Sequence, residues 1–356
     1  NSSPGTIFKI SPGGVLKTLY SFCAQTDCAD GSGPLAPLVQ GTDGNFYGTA
    51  YAGGEFALGT IFKISPAGTF AKLHDFCSVG ECVDGTHPYG GLIQATNGAF
   101  YGTTNGAPGT VFEITPAGVL TTIYTFCSQT NCNDGAEPED GLVQAANGNF
   151  YGTTLDGGVN TEGTVFVLAP TGKLTTLYNF CSLANCVDGS SPIAGLIQGS
   201  DGNLYGTTLE GGANLFYGSV FEITPSGVLT TLHSFDNTDG GDPNAGLLQA
   251  TNGTFYGVTS GGGSSFEGTV FSVSTGLKPF VAPRPTSGKV GAKVVLLGTN
   301  LTGATAVNFD GTAATFTVNS KSKITTSVPA GSVTGKITVT LPHSTLSSDV
   351  VFRVKP

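Results

Sequence analysis

The chain has 356 residues, including 55 Gly, 23 Phe and 8 Cys but neither Met nor Trp, and only 11% of it is charged. It is too long for a disulfide miniprotein and long enough for two domains, and 39% hydrophobic content excludes disorder. Net charge is −10, divided into 5 Lys/Arg against 22 Asp/Glu over residues 1–276 and 9 against 2 over residues 277–356.

The acidic part would repel phosphates, so nucleic acid is not an expected partner. No apolar run approaches the roughly 18 residues of a membrane span. The first residue is Asn1, not Met, and a removed leader is the expectation.

The first predicted elements are a strand over Gly5–Ile10 and another over Val15–Phe22. From there the chain repeats itself. Gly-Thr-Ile/Val-Phe, once Gly-Ser-Val-Phe, begins at Gly5, Gly59, Gly109, Gly163, Gly218 and Gly268, and Tyr-Gly-Thr/Val begins at Tyr47, Tyr101, Tyr151, Tyr205 and Tyr256. Each repeat reads as four short strands. Strand A (GLIQ) leads through an Asn-Gly or Asp-Gly turn into strand B (NFYGTT), then strand C (GTVFEI), a Pro-x-Gly turn and strand D (VLTTLYSF).

No apolar stripe of helical period interrupts them, so the expected class is all-β, with residues 1–274 forming a β-propeller. Strands A, B and D occur five times and strand C six times, which predicts five blades. Closure is expected between the first D strand and the last C strand. One C strand, Gly5, Thr6, Ile7, Phe8, Lys9 and Ile10, is then surplus, free to edge the closing blade or to serve as an assembly strand on another molecule.

In such a blade the A–B and C–D turns share one face, and the B–C and D–A loops share the other. The second face is variable and carries 17 of the 22 acids of residues 1–276. Any binding is expected there. All eight cysteines occupy one repeated place in the D–A loops: Cys23 with Cys28, Cys77 with Cys82, Cys127 with Cys132 and Cys181 with Cys186. The fifth loop, SFDNTDGGDP, lacks both members. Pairwise loss favours local disulfides over shared zinc ligands, with Cα atoms expected in the usual range of about 4.4–6.8 Å. Disulfides imply an oxidising, extracytoplasmic setting. Five Asp-Gly pairs follow, at Asp30, Asp84, Asp134, Asp188 and Asp239, and mark a possible binding face. Two readings of them stand, oxygen ligands for Ca²⁺ or anchors of their own turns. No other cofactor or metal is expected.

Chemistry is otherwise scarce. His74 and His233 stand in the strand-D slot held elsewhere by Tyr20, Tyr124 and Tyr178 and read as packing residues. The A strands that should line a central channel offer Gln40, Gln94, Gln144, Gln198 and Gln249 and no carboxylate, which argues against an axial acid/base pair. The five repeated Tyr read as packing between blades.

The repeated unit resembles the GloVer tandem repeat of bacterial choice-of-anchor surface proteins over residues 5–273. That resemblance implies a secreted or cell-surface location and supplies no catalytic residues. After a Pro-containing linker over residues 275–285, residues 286–356 resemble an IPT/TIG domain, an immunoglobulin-like β-sandwich. The matching stretches are PTSG, LLGTNLTGATAVNFDGTAATF and ITTSVPAGSVTGKITVTL. The resulting expectation is a non-enzymatic structural or surface protein that joins head-to-tail into a homopolymer, basic domain on acidic propeller. The second reading is a lectin-like or adhesion module that binds a glycan or cell-surface partner through the variable face. A glycosidase stands third.

Overall fold

The structure is a computed structural model that describes residues 4–355. The chain is all-β, its only helices among the described residues being single 3₁₀ turns inside the cysteine loops, and it divides into two compact units. The first comprises Asn1–Gln198, Leu204–Leu247 and Val258–Thr269; the second comprises Gly199–Asn203, Leu248–Gly257 and Val270–Pro356.

The repeats form six antiparallel sheets. The first has two strands, Thr6–Ile10 and Leu16–Ser21. Four complete sheets follow in the order A-B-C-D, and their B strands are Phe46–Ala50, Phe100–Thr104, Phe150–Thr154 and Leu204–Thr208. The sixth holds Leu248–Gln249, Phe255–Val258 and Val270–Val273. The strand expected to be surplus, Thr6–Ile10, pairs along Leu16–Ser21, the first D strand. With no A or B strand beside it, Phe8 is 57% exposed, whereas its counterpart Phe62 is fully buried.

Two glycines explain the repeated phrases. In Tyr-Gly-Thr, a Cβ on Gly102 would come within 2.7 Å of the Phe112 ring and 2.8 Å of Leu92. In Gly-Thr-Val-Phe, Gly109 has φ +87°, and a Cβ there would lie 2.5 Å from Pro138 of the following loop. Both positions let neighbouring elements close on the backbone.

Successive sheets are joined by a recurring set of bonds. The B-strand hydroxyl of Thr103 donates to the carbonyl of Asp140 at 2.8 Å, and Thr49 and Thr153 do the same to Gly90 and Ala194 at 3.2 Å. The A-strand glutamines from Gln94 onward bond to the preceding repeat. Gln94, Gln144, Gln198 and Gln249 each accept, at 2.9–3.0 Å, a backbone N–H from the preceding A–B turn, at Thr42, Thr96, Ala146 and Ser200. Tyr47 stacks on Phe100, and Tyr101 on Phe150, with centroids 4.0 and 4.2 Å apart.

In the second unit, two four-stranded sheets enclose one core. Val294, Leu296 and Ile324 of one sheet meet Val307, Phe309, Ile337 and Val339 of the other. The expected linker is shorter than residues 275–285, because Ala282–Arg284 is already an edge strand paired with Lys293–Leu297. Pro283 is tolerated there because an edge strand can spare an N–H.

The glutamine bonds give a paired test. Gln94→Ala removes both its bonds to Thr42 and should cost about 1 kcal/mol by denaturant titration. Gln40→Ala should cost far less, since Gln40 donates to Gly44 of its own turn and the first sheet offers it no preceding A–B turn.

Candidate active site

The D–A loops are built by one device. The structure pairs all eight cysteines locally: Cys23 with Cys28, Cys77 with Cys82, Cys127 with Cys132, and Cys181 with Cys186. Their Cα atoms are 3.9–4.0 Å apart, closer than the expected range. The reason lies in the backbone. Both members of every pair are left-handed, and the second members Cys28, Cys82, Cys132 and Cys186 have φ of 53°, 51°, 53° and 52°, which folds the short loop back on itself.

Inside each loop the Asp of the Asp-Gly pair bonds the strand-D aromatic. Tyr20–Asp30, Tyr124–Asp134 and Tyr178–Asp188 are 2.7 Å apart, while His74–Asp84 is 3.0 Å and His233–Asp239 is 2.7 Å. A bulge one residue before the aromatic turns it toward the loop.

Backbone N–H groups add to these bonds, from Ala24 and Gln25 onto Asp30 and from Ser128 and Gln129 onto Asp134. Asp30, Asp84, Asp134 and Asp188 are buried, which corrects their expected place on a binding face: their oxygens hold the loop together instead. Asp239 alone is exposed. In the fifth loop the disulfide is replaced by Asp236, whose Oδ1 accepts the Thr238 N–H at 2.9 Å, the Thr238 hydroxyl at 2.6 Å and the Asp239 N–H at 3.2 Å. Among the described residues no cluster of three or more His, Cys, Asp or Glu is placed to hold a metal ion.

A different acidic group lies just before the fourth sheet, where the A-strand edges of successive sheets converge. The Asp140 carboxyl spans two repeats, accepting the N–H of Gly141 through Oδ1 and that of Gly195 through Oδ2, both at 2.6 Å. Gly90 and Gly91 of the preceding repeat close in from the other side, so that Cβ atoms on Gly90 and Gly141 would meet backbone across the gap. Burial raises the Asp140 pKa, and the two amides only partly oppose it. Beside it, burial raises the pKa of Glu139, as do the charges of Glu137 and Asp156, against one bond from Asn105 Nδ2 at 2.9 Å. The Asn105 N–H bonds the carbonyl of His87, whose ring lies 4.8 Å from that of Tyr51; Tyr89 meets Tyr51 edge-on at 5.9 Å and is 42% exposed. Two neighbouring carboxyls thus hold their protons longer than usual, and Asn105 joins Glu139 to the loop that carries His87. Carboxyls with raised pKa values are candidates for proton transfer.

The strand-A glutamines drew attention away from this group, since its acids stand just upstream. The signal was nevertheless present. Aligned on the loop proline, the five repeats read GPLA, HPYG, EPED, SPIA and DPNA, and only the third places acids at the last two positions.

A sequence profile described as the Gloeobacter/Verrucomicrobia repeat matches residues 1–133 and 107–319. No curated protein sequence matches the chain. Among similar solved structures is one described as a candidate gluconolactonase, at 14% identity and a TM-score of 0.40, covering 75% of this chain and 80% of that one. Another is a gluconolactonase of Xanthomonas campestris, at 12% identity and a TM-score of 0.40, covering 76% and 79%. These findings correct two expectations, that the protein is non-enzymatic and that it is a self-assembling structural filament. Both similar structures are described as gluconolactonases, one of them as a candidate.

The loop device predicts a pH dependence. Burial would raise the pKa of Asp134, but the bonds from Tyr124, Ser128 and Gln129 outweigh it and hold the pKa below the ordinary value. The stability Asp134 adds is complete above about pH 4 and lost as pH falls through its depressed folded pKa. Tyr124→Phe should lower stability at neutral pH by about 1–3 kcal/mol, and the loss should shrink in acid. Urea titrations of both proteins at neutral and acidic pH check this.

Proposed function

The chain belongs to the Gloeobacter/Verrucomicrobia repeat family, and we propose that on this scaffold it carries a hydrolytic acid–base site. Asp140 is the proton-transfer group and Glu139 the second carboxyl. One observation carries the reading: the Asp140 carboxyl bridges the amides of two successive repeats while burial raises its pKa. A carboxyl so placed can protonate a leaving oxygen and then take a proton from the attacking water. The charges of Glu137 and Asp156 disfavour anionic substrates, so the substrate class is a small neutral ester, lactone or glycoside. Tyr51, His87 and Tyr89 offer its apolar face a surface.

The four disulfides support a secreted or extracellular location. The two-sheet core of the second unit supports reading residues 286–356 as an IPT/TIG-type domain.

The test is turnover of a panel of chromogenic neutral esters, lactones and glycosides from about pH 4 to about pH 9. The expected result is hydrolysis of at least one class, with Asp140→Asn lowering kcat by about 100-fold or more and Glu139→Gln shifting the pH profile. No turnover of any class, or full activity in Asp140→Asn, sinks the reading.

A further inference from the structure

We propose that a cavity of about 320 Å³ in the second unit, beside residues 278–280 and the strand Ser344–Ser347, binds a small ligand through a phosphate or carboxylate head group. All of its lining residues belong to that unit. Lys278 and Lys336 border it together with Ser200, Thr345, Ser347 and Ser348, and neither Asp nor Glu lines it.

Lys336 is already oriented. Its ammonium donates to the carbonyls of Ser348 at 2.9 Å and Asp349 at 2.7 Å, which leaves one further N–H. Burial lowers its pKa, and the Asp349 charge offsets this only in part, so an oxyanion in the cavity would supply the missing counter-charge. The Asp349 carboxyl does not line the cavity; it accepts the N–H of Val350 at 2.9 Å and is held partly by Arg284.

The Ser200 hydroxyl accepts the Gln249 side-chain amide at 3.2 Å, which leaves its own hydrogen for a ligand. Ser348 is spent, because its hydroxyl accepts from Ile337 and donates to Val350. Pro279 and Phe280 supply an apolar wall. The volume is at the small end for ligand sites, enough for a phosphate ester or a sugar acid. The excess of 9 Lys/Arg over 2 Asp/Glu in residues 277–356 draws anions toward it.

The test uses the full chain. Thermal melts in sodium phosphate and in sodium glucuronate are compared with sodium chloride at equal ionic strength, and the two anions are titrated calorimetrically. The expected result is a saturable rise in Tm with one or both, the tighter anion identifying the head group. Lys278→Ala, which alters an exposed side chain, should weaken that binding by about tenfold or more, and Lys336→Met should weaken it as well. If Lys336→Met fails to fold, Lys278→Ala decides alone. Equal melts in all three salts, or binding unchanged by Lys278→Ala, overturns the proposal.

Discussion

Each of the four complete sheets in the repeat region is hydrogen-bonded to the repeat that follows it. A B-strand threonine needs a carbonyl that its own sheet does not offer, and an A–B turn leaves an N–H for a glutamine about 50 residues downstream. These are ordinary hydrogen bonds, each worth about 1 kcal/mol, but they recur from junction to junction. The aromatic stacks and the glycines that admit the next loop depend on the same approach of neighbouring sheets. Stability is therefore shared between neighbours, as in other repeat architectures, and no single sheet holds it.

Such a scaffold makes departures from the repeat informative. Four of the five positions equivalent to Asp140 are Ala or Gly, small enough for neighbouring repeats to close on one another. The third repeat inserts a carboxyl at that crowded place, and two backbone N–H groups accommodate it. Burial then acts on its protonation more strongly than the amides do. A regular framework with one irregular acid is a common way to obtain a perturbed carboxyl, because the framework bears the cost of desolvation.

Much of the fold was legible because the repeat phrases recur with few changes. Strand order, the turns and the cysteine pairing all follow from GTVF, YGT and the paired loss in the fifth loop. The tightness of the cysteine loops was not legible, since nothing in the spacing of Cys23 and Cys28 announces left-handed backbone at both ends. The local pairing of Thr6–Ile10 with Leu16–Ser21 was not legible from strand counts, which do not say that a C strand followed by a Pro-Gly turn meets its own D strand first. Nor were the partners of the strand-A glutamines, whose N–H donors belong to the preceding repeat. Asp140 and Glu139 escaped notice because their partners are distant, Gly195 lying 55 residues from Asp140 and Asn105 lying 34 from Glu139.

The fifth loop has a consequence of its own. Four D–A loops are tied covalently, whereas this one depends on the ionised carboxylate of Asp236, whose pKa is lowered chiefly by its bonds from Thr238. Thiol reductants therefore reach four loops and leave the fifth intact. Acid loosens the fifth as pH falls through that lowered pKa, and it also weakens the carboxylate bonds of Asp30 and Asp134 in two of the tied loops, where the disulfides persist. Reduction and acid are thus different stresses, and of the two only acid reaches the fifth loop.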